Sequence, residues 1–340
     1  MNYLKETQGT LFRALPLVLA MLFSGCATIG QDTAVEPVVE TAEVEPPVPE
    51  TTRPASPPQA VTQVPGPFGP KVAIVLSSRL PAYESVAIAL GELLEDYSIY
   101  DLADKSQTPR ELFTRIDEID TDIVMAVGLR AATVAKSYAK VPVVFCQVFN
   151  VGENDLVSGQ VKGVAALPPL SLQVEAWQEM NPGLQNIGAI LGSGHELLIE
   201  EAHQAADSAG LTLHYRTARS DRETLYLFNR LTPDIDGFWL FPDNRVLSPA
   251  VLRQIIQYAA RHRVQVAVFN PALLDLGATL SATSVDSDIA ATVVSVARRV
   301  IDGDRKSIPD VTPLNEIEVQ MNPALLSKIA QAAANGDDAK

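Results

Sequence analysis

Basic residues are scarce in this chain of 340 residues, where 26 Lys and Arg stand against 41 Asp and Glu and give a formal net charge of −15. No cluster of Lys and Arg occurs in the acidic body, which argues against binding to nucleic acid or to an anionic membrane surface. Histidine is rarer still, and its four positions lack the spacing of a metal site: His195, His203, His214 and His262.

Motifs of catalytic sites are missing as well. The chain has no G-x-S-x-G elbow, no G-x-x-x-x-G-K-[ST] phosphate loop and no H-E-x-x-H pair. Gly192-Ser193-Gly194 follows a predicted strand, but a lone G-x-G at the start of a helix is typical of a simple turn. The sequence therefore predicts a protein that is not an enzyme and carries no cofactor or metal.

Cysteine occurs only twice, and Cys26 directly follows an apolar run. Lys5 and Arg13 precede the run, whose length is typical of a secretory signal peptide and too short to span a bilayer. Phe23-Ser24-Gly25-Cys26 resembles the bacterial lipobox, although Phe23 replaces the usual Leu. The resemblance implies that Cys26 becomes the mature N-terminus with lipid on its thiol and amine. The alternative is an ordinary export signal with an incidental cysteine.

Two further expectations follow from this lipidation. Ala27 follows the cysteine, and the sorting rule of Gram-negative lipoproteins then implies the outer membrane, provided that the host is Gram-negative. Cys146 is left without a partner, so no disulfide is expected. Because it lies in the apolar run VPVVFCQVF, we expect Cys146 to be a buried small side chain rather than a nucleophile.

Residues 26–70 read as a tether between the lipid and a globular body. Ten of the 24 prolines lie between Pro37 and Pro70, mixed with Glu, Thr, Val and Ala. Such a segment buries too little apolar surface to offset its ordering entropy, so we expect it to be disordered and extended. The remaining residues, about 270, are more than one ordinary domain needs and suggest two.

From Lys71 onward, apolar runs alternate with amphipathic segments. KVAIVLSS, DIVMAVG and NIGAILG are among the predicted strands, and Thr108-Pro109-Arg110-Glu111 predicts a helix start with a capping box. Strands this continuously apolar, separated by helices of about ten to fifteen residues, indicate parallel sheets covered on both faces. The pattern runs through twice, which predicts an α/β fold with two Rossmann-like lobes.

Four stretches resemble one known family in their order and spacing: DIVMAVGLRAATVAKSYAKVPVVFCQV, GQVKGV, LFPDNRVLSPAVL and LGATLSATSVDSDIAATVVSVARRVIDG. They are similar to the ABC-transporter solute-binding proteins of the TrpX-like group, which are related to tryptophan and tyrosine binders. The resemblance covers residues 71 to about 332. It implies the type I periplasmic-binding-protein fold, in which two lobes joined by three crossovers close on a ligand.

Chain order suggests where the crossovers of such a fold lie. We expect the first at 165–169, the second at Asn270–Pro271 and the third at 307–313. The first lobe would then hold residues 71–165 and 271–306, and the second lobe residues 166–270 and 307–335.

Ligands of open parallel sheets lie beyond the carboxyl ends of the strands. Ser77 and Ser78 follow the first strand, where hydroxyls either bond a ligand or cap the next helix. Gly128-Leu129-Arg130 occupies the place of the family's G-T-P turn, so Gly128 would let a ligand carboxylate approach the backbone. Arg130 adds a cation that suits a carboxylate or phosphate, or else is a solvated residue of the first helical turn.

The remaining candidate contacts follow later strands. Phe149-Asn150 stands where relatives have Thr-Asp, so Phe149 is placed to stack on a ligand and Asn150 lacks the charge that would pair with an ammonium group. Asp243-Asn244 retains part of the family's P-[ST]-D-N turn, and Asp243 is the strongest candidate for a ligand amine or hydroxyl. Its alternative role is an Asx turn. Two weaker candidates follow later strands: Asn270 and Asp286.

Two functions are consistent with this sequence. The first is a lipid-anchored, extracytoplasmic solute-binding protein that captures a small polar ligand, amino-acid-like or related, and presents it to an ABC permease. The second is an outer-membrane lipoprotein that uses the same fold to regulate, sense or scaffold without transport, as Ala27, the long tether and the altered cleft residues suggest.

Overall fold

A computed structural model describes residues 67–149 and 151–322. Within these ranges the strands are Val72–Leu76 (β1), Tyr97–Asp101 (β2), Ile123–Val127 (β3), Val143–Cys146 (β4), Val161–Val164 (β5), Asn186–Leu191 (β6), Thr212–Thr217 (β7), Gly237–Trp239 (β8), Gln265–Val268 (β9), Leu280–Thr283 (β10), Val311–Thr312 (β11) and Glu318–Met321 (β12). The helices are Pro81–Gly91 (α1), Pro109–Glu118 (α2), Leu129–Tyr138 (α3), Leu170–Met180 (α4), Glu196–Ser208 (α5), Asp221–Leu231 (α6), Pro249–His262 (α7) and Asp286–Ile301 (α8). The predicted alternation of strands and helices is confirmed.

The described strands form two sheets of six. The strand order is β11-β5-β4-β3-β1-β2 in the first sheet and β12-β10-β9-β8-β6-β7 in the second. Neighbouring strands run parallel, except that β12 pairs antiparallel with β10. Every residue of β1 and β3 is buried, as the continuously apolar sequences predict for strands covered on both faces. The predicted α/β fold with two parallel sheets is therefore confirmed.

Short polar side chains fix the starts of several helices. Thr108 accepts a hydrogen bond from the backbone N–H of Glu111, whose carboxylate bonds back to the N–H of Thr108, so the predicted capping box is present. Ser220 caps α6 and Ser248 caps α7 through the same kind of hydroxyl contact. These caps are local features, and the sequence is sufficient to predict them.

The packed body begins earlier than the sequence suggested. Phe68 is 1% exposed, and its backbone N–H bonds the carbonyl oxygen of Leu93 at 2.8 Å while its own carbonyl accepts from Glu95. The guanidinium of Arg298 lies 5.2 Å from the centre of the Phe68 ring. The expected end of the tether at residue 70 is therefore too late, because this aromatic side chain is buried against the α1–β2 turn and α8.

Strand pairing shows where the chain passes between the sheets. The chain leaves the first sheet after β5 and returns only after β10, which pairs with β9. The 3-10 turn Pro271–Leu276 packs its apolar side chains on the second sheet. β11 then pairs with β5 in the first sheet. Residues 271–283 thus lie with the second sheet and 311–312 with the first, which differs from the ranges expected from the sequence.

The second sheet carries both tryptophans of the chain. Trp177 on α4 and Trp239 on β8 are 1% and 2% exposed and belong to one apolar cluster with β6 and α5. The indole N–H of Trp177 donates to Gln265, and that of Trp239 donates to Gln173. Tryptophan fluorescence therefore reports on the second sheet. Among the described residues, no helix is long and apolar enough to cross a bilayer.

Candidate functional site

Several of the predicted ligand-contacting residues lie at the carboxyl ends of β1 and β3 in the first sheet. Ser77 Oγ accepts a hydrogen bond from the backbone N–H of Ala131 at 2.9 Å and so caps the first turn of α3. Gly128 has φ +89°, and a Cβ atom there would lie 2.6 Å from Ser77 Oγ and 2.8 Å from Tyr83 Cζ. The backbone that was expected to meet a ligand carboxylate is therefore covered by the chain's own hydroxyl and phenol ring.

The neighbouring candidates differ in their exposure. Ser78 and Leu129 are partly buried, and Arg130 is exposed in the first turn of α3. Asp286, partly buried at the start of α8, lies close enough to Cys146 for its negative charge to disfavour the thiolate. Asn150 lies outside the described residues.

Cys146 ends β4 within the same neighbourhood and is buried, as the sequence predicts. Burial, aided by the charge of Asp286, raises the pKa of the Cys146 thiol to about 12. The side chain therefore remains a thiol at neutral pH and lacks the thiolate character of a nucleophile.

Asp243 lies at the centre of a buried polar cluster on the second sheet, with a side chain only 2% exposed. Its Oδ1 accepts from Arg245 Nε at 2.9 Å, and its Oδ2 accepts from Arg245 Nη2 at 2.9 Å and from the N–H of Gly192 at 2.8 Å. Burial alone would raise the pKa of Asp243, but its contacts with His195, Arg245 and Gly192 hold that pKa well below its usual range. Both carboxylate oxygens are thus engaged within the chain.

His195 completes this cluster with a side chain that is 4% exposed. Its Nε2 lies 2.8 Å from Arg245 Nη2 and 3.1 Å from Asp243 Oδ2. Nε2 can accept from the guanidinium or donate to the carboxylate, but not both, so the tautomer of the imidazole selects between the two contacts. His195 is buried because its side chain turns inward at the start of α5.

Arg245 links the two sheets. Its Nη1 donates to both carboxylate oxygens of Glu153, at 2.5 and 2.7 Å. Glu153 lies in the 3-10 turn Gly152–Asn154 between β4 and β5 of the first sheet, whereas Arg245 follows β8 of the second. A Cβ atom at Gly194 would collide with the Glu153 side chain, so the glycine allows this close approach. The pKa of Arg245 is raised, chiefly by its hydrogen bonds to Asp243.

Of the two remaining candidates of the second sheet, Asn270 has a structural role. Asn270 is exposed and its Oδ1 accepts from the N–H of Ala272 at 3.0 Å, so it caps the 3-10 turn that follows. Asn244 is exposed beside the buried Asp243.

A cavity of about 560 Å³ lies where segments of both sheets meet the crossovers. Its walls come from the residues after β4, the start of α5, and the crossovers that follow β5 and β11. Most of the lining is apolar, and among the predicted contacts Phe149 lines it with a side chain 42% exposed. The volume is in the usual range for a small-molecule site.

Among the described residues that line this cavity, the charged ones are acidic: Glu153, Glu196 and Glu201. Burial raises the pKa of Glu201, although a hydrogen bond from the backbone of Leu170 partly opposes the shift. Among the described residues no group of His, Cys, Asp and Glu has an arrangement that could hold a metal ion.

Three residues of the candidate site were not predicted from the sequence: Arg245, Glu153 and Glu201. Arg245 could have been noticed, because it stands two residues after Asp243 in the P-D-N-R turn, where an Asx carboxylate commonly accepts from the following backbone. No sequence motif around Glu153 or Glu201 indicates a role in the site, because that role depends on contacts between segments far apart in the chain.

The family described as "ABC transporter substrate binding protein" matches residues 96–331, more than half of the chain. The chain belongs to this family. No curated protein matches it by sequence.

Several solved structures have a fold similar to that of this chain. An ABC domain from Streptococcus pneumonia in complex with L-Trp is 18% identical with a TM-score of 0.53, covering 76% of this chain and 95% of its own. A substrate-binding protein with adhesive properties from Clostridium difficile, in its ligand-free, open form, is 15% identical with a TM-score of 0.59, covering 76% and 94%. A conserved domain protein from Vibrio cholerae is 18% identical with a TM-score of 0.53, covering 77% and 94%. The expected type I periplasmic-binding-protein fold is confirmed.

Proposed function

We propose that this protein is the solute-binding component of an ABC import system and that it holds its ligand in the cavity between the two sheets. The observation that carries the proposal is the construction of that cavity, because residues of both sheets and of the crossovers line it. A movement of one sheet relative to the other would open or close such a cavity and signal occupancy to a permease. The role proposed is binding, without catalysis.

We further propose a division into two lobes that follows the strand pairing. The first lobe would comprise residues 67–165 and 284–312, and the second lobe residues 166–283 and 313–322. The bidentate contact between Glu153 and Arg245 then joins one lobe to the other and would stabilise a closed arrangement.

We propose that Cys26 carries the lipid and that residues 27–66 form the tether, although both lie outside the described residues. Phe68 fixes the end of that tether beside the start of β1, whereas ligands of this kind of fold lie beyond the carboxyl ends of the strands. The lipid would hold the body on the periplasmic side of the cell envelope, at the outer membrane if the host is Gram-negative.

A second function, regulation or scaffolding without transport, is favoured by one specific observation. Several positions expected to meet a ligand are already occupied within the chain: Ser77 caps α3, Gly128 is covered by Tyr83, and Asp243 is engaged by Arg245. A fold whose cleft residues are satisfied in this way could present a fixed surface to a partner.

Titration calorimetry of the purified protein against amino acids, amines, nucleosides and organic acids tests the first function, which requires saturable binding to at least one compound. Membrane fractionation and pull-down with the tethered protein separate the two functions. Permease and ATPase subunits in the eluate would support import, whereas an outer-membrane partner together with no binding to the whole panel would support the second function.

A further inference from the structure

The cavity between the sheets is lined by apolar and by acidic side chains. Resting on the solute-binding function, we propose that its ligand is an apolar amine without a carboxylate: a protonated ammonium group on an aromatic or branched hydrocarbon body. This class differs from the amino-acid-like ligand expected from the sequence, and two kinds of side chain in the cavity lining, apolar and acidic, support it.

The apolar part of the lining is large and partly in contact with water. Val148, Phe149, Leu167, Leu197 and Val311 are among its members. Leu197 is 83% exposed and Phe149 is 42% exposed, and both side chains lie at the cavity. A hydrocarbon body placed there would remove this apolar surface from water, which is the usual source of affinity in small-molecule sites.

The charged part of the lining carries one sign. Glu153, Glu196 and Glu201 contribute carboxylates, and no Lys or Arg is present among the described residues of the lining. The adjacent cation, Arg245, already bonds Asp243 and Glu153. An ammonium group would therefore be attracted into the cavity, and an anion would be repelled.

Glu201 is the carboxylate best suited to receive the ammonium group. Glu153 is held by Arg245, and Glu196 accepts from the N–H of Gly194 at 3.2 Å. Glu201 is partly accessible to water and accepts from the backbone N–H of Leu170, but it has no cationic partner among the described residues; burial raises its pKa, and a cationic ligand would supply the missing opposite charge.

A ligand carboxylate finds no Lys or Arg side chain in the described lining, which leaves it only backbone donors such as the N–H groups at the start of α5. Gly128, where the family resemblance placed the carboxylate, is covered by Ser77 and Tyr83. Arg130 is exposed on α3 and is not part of the cavity lining. The negative end of a zwitterion would consequently lie near Glu196 and Glu201 without a side-chain cation in the described lining to balance it.

The test compares four probes that share one ring and differ in charge: 2-phenylethylamine, phenylalanine, 3-phenylpropionate and 2-phenylethanol. Calorimetry with the full-length protein should show the amine binding at least ten-fold more tightly than phenylalanine, with the carboxylate binding weakest. Hexylamine and hexanoate, titrated in the same way, check that the preference does not depend on the ring.

Two matched variants assign the effect to Glu201. Glu201→Gln should weaken the binding of 2-phenylethylamine about five- to ten-fold and leave 2-phenylethanol unchanged. Glu200→Gln, an exposed neighbour on α5 outside the cavity lining, should alter neither. Thermal unfolding of each variant verifies that the fold is retained.

The outcomes separate the two levels of the proposal. If phenylalanine or either carboxylate binds as tightly as its amine counterpart, or if Glu201→Gln leaves amine binding intact, the ligand class is wrong while the solute-binding function stands. If none of these probes and none of the wider panel binds, the solute-binding function itself fails.

Discussion

Removing the guanidinium of Arg245 should destabilise the second sheet. The substitution Arg245→Met removes this group and keeps an apolar side chain of similar length. The substitution leaves the Asp243 carboxylate, 2% exposed, with Gly192, His195 and the backbone N–H of residue 245 but without its cation. Each hydrogen bond to a charged group contributes about 1.5–3 kcal/mol. Two such bonds join Arg245 to Asp243, giving a loss of roughly 3–6 kcal/mol before relaxation.

Two structural facts set the expected value at the low end of that range. The Arg245 side chain is 37% exposed, so water can enter the vacated position and solvate Asp243 in part. The bridge to Glu153 is also reached by solvent and should add less than about 1 kcal/mol. We therefore expect the free energy of unfolding to fall by about 3 kcal/mol at pH 7, which corresponds to a urea midpoint lower by about 1 M.

Urea unfolding followed by tryptophan fluorescence measures this loss, because Trp177 and Trp239 are both buried on the second sheet. Arg253→Met, at an exposed position on α7, serves as the control and should change the midpoint by little. In an Asp243→Asn background the cost of Arg245→Met should shrink, since no buried anion remains. A loss below 1 kcal/mol, or an equal loss in both backgrounds, would contradict this reasoning.

The same variant should also change the pH dependence of stability. The pKa of Asp243 is depressed in the folded protein, so its contribution is fully present above the unfolded pKa of about 3.9 and is lost as the pH falls toward the lower folded value. The stability difference between wild type and Arg245→Met should accordingly decrease below about pH 4. A difference that grows on acidification would contradict the assignment.

Three other substitutions or modifications have clear expectations. Phe68→Ala should lower the free energy of unfolding by about 3–4 kcal/mol in a urea titration, because a fully buried ring is removed; a cost under 1 kcal/mol would place Phe68 outside the body. Gly237→Ala should lower the free energy of unfolding by about 1–3 kcal/mol, because the new methyl group would collide with the ring of Trp177. Gly159→Ala is the control: its methyl group meets open space, and the loss should be under about 0.5 kcal/mol. Cys146 should resist alkylation in the native protein at pH 8 and react once urea unfolds it, as peptide mass mapping would show; rapid native labelling would refute its burial.

The elements of the fold could be predicted from the sequence because their signals are local. The capping box at Thr108 and the apolar run of β3 each require only a few neighbouring residues. The assignment of strands to sheets was harder, and β10 was expected in the first sheet although it pairs with β9 in the second. Nothing within the β10 sequence distinguishes the two sheets, since a buried strand has the same apolar character in either.

In the candidate site, too, the positions of residues could be predicted from the sequence, but their contacts could not. Ser77, Gly128 and Asp243 could be selected because they follow strands, and the structure does place them at strand ends. Whether such a residue faces a ligand or a neighbour is not a local property. Asp243 and His195 are 48 residues apart in sequence and still lie 3.1 Å apart in space.

The sequence by itself determined the alternation of strands and helices, the parallel sheets and the starts of the capped helices, because hydrophobic periodicity and caps act over a few residues. Only the tertiary structure decided that Arg245 meets Glu153 across the two sheets and that Glu201 borders an apolar cavity. Such contacts join residues far apart in the chain, so they depend on how the sheets and crossovers pack, and no short pattern specifies them.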